Sequence, residues 1–380
     1  MEKSSNKPAT LWPIRGADPA SRTPWALLIG LMLLAAALRA IGLDGGLWYD
    51  EIRTLLDSVR RPLAQIVTVF PGNNQHTLYS VLAHISTGIF GDESWSLRLP
   101  ALIFGVATVP VLFLFAREFV GRTEALLACL LLAVSYHNVW FSQNARGYTA
   151  VAFFTLLCSW LLLRGLRRGK ASDFVWYGLT SALGAYTHLT MVFVVVAHAM
   201  ACVVLLGLPG FDKETRRWRL PAAGFALSAV FTLALYAPLL LDIQQFFLKQ
   251  PSVTQAATPK WAVEELVRGL QRGATAIGAL AGVALILCGL WSYFRQSRFL
   301  FALFVLPGVI TVAAAMALWR IYPRFLFFLA GFGLLIVVRG ALEIGAWLTR
   351  RWKPDAAPKP VTALGVALVA VLTALSAAAL

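Results

Sequence analysis

Acidic residues are rare in this chain: Asp and Glu account for 18 of its 380 residues, against 33 for Lys and Arg. All charged residues together make up 13% of the sequence, whereas soluble domains carry roughly 25%. The hydrophobic fraction is 59% and the mean hydropathy is +0.71. A composition this poor in charge excludes an ordinary soluble domain and predicts an integral membrane protein.

Cysteine is also scarce, and the four cysteines all lie inside apolar runs. Cysteine in that setting is normally an inert, small hydrophobic residue. No spacing typical of a zinc site links the cysteines or the five histidines. The sequence therefore predicts no metal site and no cofactor, with a divalent ion left open as an alternative.

The formal net charge of +15 raises the possibility of a nucleic-acid partner. The basic residues, however, occur in short clusters between apolar runs, as in the RGLRRGK and KETRRWR segments. This distribution is typical of cytoplasmic loops and not of a surface that follows a phosphate backbone. We therefore expect no nucleic acid and interpret the charge as an orientation signal.

Long apolar runs fill most of the chain, and about eleven of them suit a bilayer core roughly 30 Å thick. The predicted spans are 25–43, 98–116, 125–141, 149–163, 173–189, 190–207, 220–241, 276–293, 299–318, 325–342 and 361–380. We expect an all-α polytopic membrane protein, in contact with membrane lipids. No signal-peptide cleavage pattern precedes the first run, which is therefore expected to be a retained helix.

The short stretch 77–91 decides the predicted orientation of everything after it. If it does not span and the N-terminus is cytoplasmic, most of the 33 basic residues fall in inside loops, as the positive-inside rule requires. We therefore interpret 77–91 as an interfacial or re-entrant helix. The predicted regions are a cytoplasmic tail (1–24), a transmembrane domain (25–342) with its first outer loop (44–97), a cytoplasmic linker (343–360) and a final span (361–380).

Asp50 and Glu51 stand side by side in the string LWYDE, just after the first predicted span. A carboxylate at the membrane boundary is a candidate general base toward a hydroxyl acceptor. Adjacent residues of a helix point in different directions, so one acid would act while the other caps or pairs. The structural alternative is a helix N-cap pair with Arg53 as its ion-pair partner.

Further polar groups are expected on the same outer face, where they are costly unless they face a cavity or a ligand. An arginine there suits a phosphate, which it binds bidentately. The alternatives are polar turns, structural histidines and arginines that anchor lipid headgroups. These candidate residues are His76, Arg98, Gln143, Asn144, Arg146, His188, Arg320 and Arg324.

Several motifs occur in a characteristic order: LWYDE, His76-Thr77-Leu78-Tyr79, then 91–122, 135–148 and 183–199. In this order the chain resembles the bacterial membrane glycosyltransferases related to protein O-mannosyltransferases and lipid A aminoarabinose transferases, which have the GT-C fold. The resemblance covers roughly residues 25–345.

The resemblance implies a transferase that uses a polyprenyl-phosphate-linked sugar and a hydroxyl acceptor (protein, lipid or glycan) at the extracytoplasmic face. It places the central acid of the first outer loop at Asp50, beside Glu51, and adds Tyr79 to the substrate-binding candidates. Such relatives commonly have Gln-Glu-Ala-Arg where this chain has Gln-Asn-Ala-Arg, so Asn144 stands in place of a second acid.

We expect an inverting, metal-independent reaction in which Asp50 takes or orients the acceptor proton, while arginines stabilise the departing phosphate. Two other classes of protein remain as alternatives. A lipid-linked sugar flippase or transporter would need polar groups across the membrane midplane, whereas the charges here gather at one face. An inactive scaffold of the same fold is favoured by the missing acid at position 144.

Overall fold

The computed structural model describes residues 23–72, 74–206, 218–249, 276–317, 323–353 and 361–380. Within these ranges the protein is helical and contains no strand. The α-helices are α1 (Trp25–Ala40), α2 (Tyr49–Thr54), α3 (Leu63–Thr68), α4 (Thr77–Phe90), α5 (Ser94–Ala116), α6 (Arg122–Ala133), α7 (Tyr136–Ser142), α8 (Tyr148–Arg168), α9 (Ala171–Thr187), α10 (Met191–Leu206), α11 (Arg219–Tyr236), α12 (Leu240–Lys249), α13 (Ala276–Gln296), α14 (Arg298–Ala317), α15 (Ala330–Trp352) and α16 (Ala363–Ala378). A π-helix (Leu55–Val59) continues α2, and a 3₁₀-helix (Pro323–Leu329) precedes α15.

Each predicted apolar span coincides with helical structure, but not every helix is long enough to cross a bilayer by itself. In the described ranges, four are long and apolar enough: Ser94–Ala116, Tyr148–Arg168, Arg219–Phe246 and Arg324–Trp352. A fifth is formed if the bent pair α6 and α7 is one span. The predicted all-α membrane architecture is therefore observed, whereas length and composition alone do not reach the predicted count of about eleven.

One boundary in the second half of the chain differs from the prediction. The last predicted span before the linker ends at residue 342, but α15 continues to Trp352. The predicted linker 343–360 therefore begins as helix. No proline interrupts the stretch from Glu343 to Trp352, so nothing there forces the helix to end. The N-terminal tail lies almost entirely outside the described residues.

The helices pack around α5 and α8, which contact each other and the neighbouring helices α1, α4 and α9. A cluster of buried aromatic rings joins α5 to the helices of the second half of the chain. Phe115 lies 5.6 Å from Phe332 between ring centroids, and Phe119 lies 5.7 Å from Phe304. Aromatic pairs at such separations add to the stabilisation that comes from apolar burial. This interior fixes the helix ends that carry the candidate site.

The predicted span 125–141 is broken between α6 and α7, whose axes differ by 56°. Ser135 begins α7 in an extended conformation, and serine is among the favoured residues at a helix start. The break frees carbonyl groups at the end of α6. Arg39, fully buried in the last turn of α1, donates from Nη1 to the carbonyl of Ala133 (2.9 Å) and from Nε to Ser142 Oγ (3.0 Å). The first helix therefore holds this break in place.

Candidate active site

A cavity of about 550 Å³ lies where the segment after α1, the turn between α7 and α8, the turn between α9 and α10, and the 3₁₀-helix before α15 converge. Its polar lining contains groups from each of these segments, and its apolar lining is largely aromatic. The residues that matter most for chemistry are Asp50, Asn74, Arg146, His188 and Arg324. Regions far apart in the sequence thus supply one pocket.

Asp50 reaches this cavity from the first turn of α2. Its Oδ2 accepts a hydrogen bond from Arg324 Nη1 at 3.0 Å, and about a third of the Asp50 side chain remains exposed, 36% against 41% for Arg324. The pair is therefore accessible to a ligand that enters the cavity. A carboxylate beside a guanidinium in a partly enclosed pocket offers a base and an anion-binding group at once.

Glu51 does not reach the cavity, although it was predicted beside Asp50 as a catalytic residue. It is fully buried, and Arg98 holds it with two hydrogen bonds, Nε to Oε1 at 2.9 Å and Nη2 to Oε2 at 2.8 Å. The backbone N–H groups of Trp48 and Ala145 donate to the same carboxylate. Its surroundings are those of a structural anchor, in contrast to the catalytic role predicted for it.

Arg98 was expected at the phosphate site, but its guanidinium lies in the same buried anchor. Besides Glu51 it donates to the carbonyl groups of Leu43, Gly45 and Gly46, at 2.8 to 2.9 Å. These hydrogen bonds together fasten α2 and the loop between α1 and α2 to α5. The ion pair sets where α2 begins, and hence where Asp50 points.

Arg146 lines the cavity from the turn between α7 and α8, and only 5% of it is exposed. Its Nη1 donates to the side-chain oxygen and, at 3.1 Å, to the backbone carbonyl of Asn74. Its Nη2 lies 3.5 Å from the hydroxyl of Tyr148, and its buried Nε has no hydrogen-bond partner among the described residues. A buried donor without a partner is costly, so this edge of the guanidinium is suited to an anion.

His76 and His188 lie next to each other, with ring centroids 4.8 Å apart. His76 is 1% exposed, and neither of its ring nitrogens has a hydrogen-bond partner in the described part of the chain. Burial, and then the nearby Arg146, lowers the pKa of His76 well below its ordinary value of 6.5. Its ring is therefore neutral at pH 7.

His188 follows the end of α9 and lines the cavity. Burial, followed by the positive charges of Arg146 and Arg324, lowers its pKa to about 4. Its Nδ1 accepts from the backbone N–H of Thr190 at 3.2 Å, so the neutral ring carries its proton on Nε2. The histidine therefore contributes a neutral donor beside two arginines.

The close approach of these groups depends on Gly147, at the start of α8. A Cβ atom there would lie 2.8 Å from His76 Nδ1 and 2.5 Å from a methyl group of Thr187. Only a residue without a side chain lets the turn that carries Arg146 pack this tightly on the histidine.

Three other predicted residues lie beside the cavity without lining it. The hydroxyl of Tyr79 donates to the carbonyl of Leu97 (2.7 Å) and is buried. The Gln143 amide donates to the carbonyl of Ile41 (2.5 Å), and the Asn144 amide to that of Trp140 (2.8 Å). These contacts are those of structural residues. Arg320 lies outside the described residues.

Two residues of evident importance were absent from the sequence-based candidates. Asn74 contacts both Arg146 and the backbone of Asp50, and Arg39 supports the break between α6 and α7. Arg39 carried a usable signal, because a charged residue inside an apolar segment needs a partner. Asn74 lies in a polar loop, where asparagine is common and its presence does not indicate a functional site.

Comparison with known proteins relates part of the chain to mannosyltransferases. A family model described as dolichyl-phosphate-mannose-protein mannosyltransferase matches residues 77–241. YkcB from Bacillus subtilis (strain 168), which carries a mannosyltransferase name, is 34% identical over 86 residues, which are 23% of this chain and 12% of YkcB. Residues 77–241 of the chain therefore resemble a family of mannosyltransferases. Asp50 precedes the region matched by the family model.

Solved structures show the same fold over nearly the whole chain. The likeness to ArnT from Cupriavidus metallidurans bound to undecaprenyl phosphate has a TM-score of 0.60 at 14% identity, covering 94% of this chain and 72% of ArnT. AglB from Archaeoglobus fulgidus, in complex with an inhibitory peptide and a dolichol-phosphate, gives a TM-score of 0.52 at 15% identity, covering 93% of this chain and 55% of AglB. At such identities the likeness establishes the GT-C fold, and the chain spans only part of AglB and a small part of YkcB.

Proposed function

We propose that this GT-C protein transfers a sugar from a polyprenyl-phosphate-linked donor to a hydroxyl acceptor at the extracytoplasmic face of the bacterial inner membrane. The observation that carries the proposal is the cavity in which the Asp50 carboxylate, the Arg146 guanidinium and the Arg324 guanidinium meet. A base and two phosphate-binding groups are what such a transfer needs. The lipid phosphates bound by ArnT and AglB support the choice of donor class.

In the proposed reaction the acceptor oxygen attacks the anomeric carbon, and the bond from that carbon to the phosphate oxygen breaks. Asp50 accepts the acceptor's proton, and the electron pair of the broken bond leaves with polyprenyl phosphate. Arg324 engages Oδ2 of Asp50, so Oδ1 is the oxygen that takes the proton. A single displacement of this kind inverts the configuration of the anomeric carbon.

In this proposal the departing phosphate is stabilised by Arg146 and Arg324, two of the four arginines predicted for this role. Guanidinium groups bind phosphate oxygens bidentately, and a positive charge placed where negative charge develops lowers the barrier. His188 adds a neutral N–H donor beside them. With two arginines supplying positive charge, the step needs no metal ion.

The walls of the cavity suit a lipid-borne sugar. Aromatic side chains, which stack on sugar faces and tolerate apolar chains, form much of the lining: Phe70, Phe193, Tyr236, Phe246 and Phe325. Tyr49 and Leu189 also line the cavity and remain 71% and 47% exposed. An apolar rim of this kind lets a lipid tail stay in the bilayer while its headgroup enters.

The test is donor turnover by the purified protein in lipid nanodiscs, with undecaprenyl-phosphate mannose as the first donor because the matching family is described by mannose. We expect release of undecaprenyl phosphate and transfer to a hydroxyl acceptor, with inverted configuration by NMR. A flippase would move the donor across a liposome bilayer without releasing the phosphate, and a scaffold would do neither. Absence of release across a panel of sugar donors and acceptors would contradict the proposal.

A further inference from the structure

Asn74 lies between the proposed base and the proposed phosphate-binding arginine and contacts both. Its Nδ2 donates to the backbone carbonyl of Asp50 at 3.0 Å, and its Oδ1 accepts from Nη1 of Arg146. The backbone carbonyl of Asn74 accepts from the same Nη1 at 3.1 Å. We propose that Asn74 is a positioning residue that sets the Arg146 guanidinium relative to Asp50. The inference rests on the proposed function, because it concerns the same site.

A carboxamide is the side chain that suits this bridge. It donates through its NH₂ group and accepts through its oxygen at the same time. An aspartate at position 74 would keep the contact with Arg146 but would turn an acceptor toward the carbonyl of Asp50. It would also neutralise the arginine that is to hold a phosphate. An alanine would remove both side-chain contacts and leave only the backbone carbonyl.

The bridge determines which edge of Arg146 is available to a ligand. Asn74 occupies Nη1, so the remaining edge is formed by Nε and Nη2. Nε is buried and has no partner among the described residues, and Nη2 makes only a 3.5 Å contact with the hydroxyl of Tyr148. Two N–H groups on one edge of a guanidinium match two oxygens of a phosphate. Asn74 thus directs a bidentate edge to the donor.

The loop that carries Asn74 is fixed by its own backbone contacts. It lies in a turn in which Gln75 N–H donates to the carbonyl of Gly72 at 3.1 Å. Gly72 adopts φ +147°, which favours glycine, and a Cβ there would lie 3.5 Å from the ring of Phe246. The backbone N–H of Phe70 donates to Asp242 at 3.1 Å, so α12 fastens the same loop. A side chain on such a support can position another group.

The other end of the bridge is equally well defined. The carbonyl of Asp50 also accepts from the Thr54 hydroxyl at 2.9 Å, and the same hydroxyl lies 3.3 Å from Asn74 Nδ2. Asp50, Thr54 and Asn74 therefore form a closed set of contacts at the start of α2. A shift of Asn74 would move the base and the arginine apart.

The test uses the full-length protein in nanodiscs and the variants Asn74→Ala and Asn74→Asp. Asn138→Ala is the matched control, since the Asn138 amide makes a local contact with Ser135 and does not line the cavity. We expect about a 10- to 100-fold fall in kcat/KM for both Asn74 variants, as for other misplaced catalytic groups. We expect undecaprenyl phosphate to bind about 10-fold more weakly, with unfolding temperatures close to that of Asn138→Ala.

A double-mutant cycle separates positioning from a general loss of structure. If Asn74 acts through Arg146, Asn74→Ala should weaken the binding of undecaprenyl phosphate in the parent chain but not further in Arg146→Ala. Equal, additive losses in both backgrounds would overturn the inference, as would parent-like turnover by Asn74→Ala. In either case an active parent leaves the proposed function standing, whereas an inactive parent contradicts the proposed function itself.

Discussion

The carboxylate of Asp50 and the guanidinium of Arg324 lie 3.0 Å apart although 274 positions separate them in the chain. The contact joins the segment after α1 to the 3₁₀-helix that precedes α15. Residues from near the two ends of the membrane domain therefore line the same cavity. Either residue alone would be an ordinary polar group near a bilayer surface. Their pairing within a 550 Å³ pocket gives the proposed base a neighbour that also binds phosphate.

Replacing Asp50 by Asn should lower the transfer rate by about 10²- to 10⁴-fold, the range attributed to a general base, because the amide cannot take the proton. The measurement is the initial rate of undecaprenyl phosphate release in nanodiscs. Asp92→Asn is a suitable control, since Asp92 pairs with Arg60 at the surface and does not line the cavity. Near-parent turnover by Asp50→Asn would remove Asp50 from the mechanism.

Replacing Glu51 by Ala should act on stability. The change leaves Arg98 buried without its ion-pair partner, which typically costs about 3–5 kcal/mol of unfolding free energy. A large fall in unfolding temperature, or poor recovery of folded protein, is expected by size-exclusion chromatography with a thermal ramp. A Glu51→Ala protein with the parent's unfolding temperature but no turnover would instead return Glu51 to the catalytic residues.

Arg146→Gln and Arg324→Gln should each weaken the binding of undecaprenyl phosphate by about 10-fold or more. A hydrogen bond to a charged group contributes about 1.5–3 kcal/mol, and glutamine keeps a donor while losing the charge. Affinity is read by titrating the lipid into nanodiscs that contain the protein. Arg60→Gln, which lies outside the cavity, should bind like the parent; equal weakening in all three variants would point to non-specific charge effects.

Acid should destabilise the protein through its buried histidines. The pKa of folded His188 is about 4 and that of unfolded histidine is near 6.5. Between these values the unfolded state binds more protons than the folded state. Stability is therefore complete above about pH 6.5 and is lost as the pH falls toward 4, by no more than about 1.4 kcal/mol per pH unit for one group. His76, whose pKa is also lowered, adds to the same slope.

The unfolding temperature of His188→Gln, measured between pH 4.5 and 7.5, should therefore depend less on pH than that of the parent. His137→Gln serves as the control, because His137 is exposed. A parent-like slope in His188→Gln would show that this histidine is not buried in its neutral form.

The predicted orientation can be tested by cysteine labelling in intact cells, in a chain that carries Cys288→Ser. Gln65→Cys, exposed in the first outer loop, should react with a membrane-impermeant maleimide added outside. Lys170→Cys, exposed between α8 and α9, should react only after the cells are opened. The reverse pattern would invert the topology and place the cavity on the cytoplasmic side.

The helical architecture was accessible from the sequence because burial in a bilayer selects long apolar runs, and each run leaves a visible signal. The stretch 77–91 could also be recognised in the sequence as a separate short helix, and it forms α4. The break between α6 and α7 could not be predicted from the sequence, because the apolar pattern continues through Val134 and no proline marks the bend. What stabilises the bend is Arg39, a residue from another helix.

The site was predicted in outline only. That one of two adjacent acids would face a pocket followed from helix geometry, but which one depended on Arg98, 47 positions away. Arg53, the partner suggested by proximity in sequence, pairs with Asp57 instead. A partner that only the tertiary fold brings close cannot be predicted from the local spacing of residues. Asn74 was overlooked for the same reason.

Arg39 has a consequence for the order in which the chain assembles in the membrane. Its partners, the carbonyl of Ala133 and the hydroxyl of Ser142, are made 94 and 103 residues later. Until those residues have been synthesised, the carbonyl of Ala35 on the same helix, water and headgroups are the partners that remain for the guanidinium at the end of α1. We therefore expect α1 to reach its final position only after α6 and α7, which lie about a third of the way along the chain, have been synthesised.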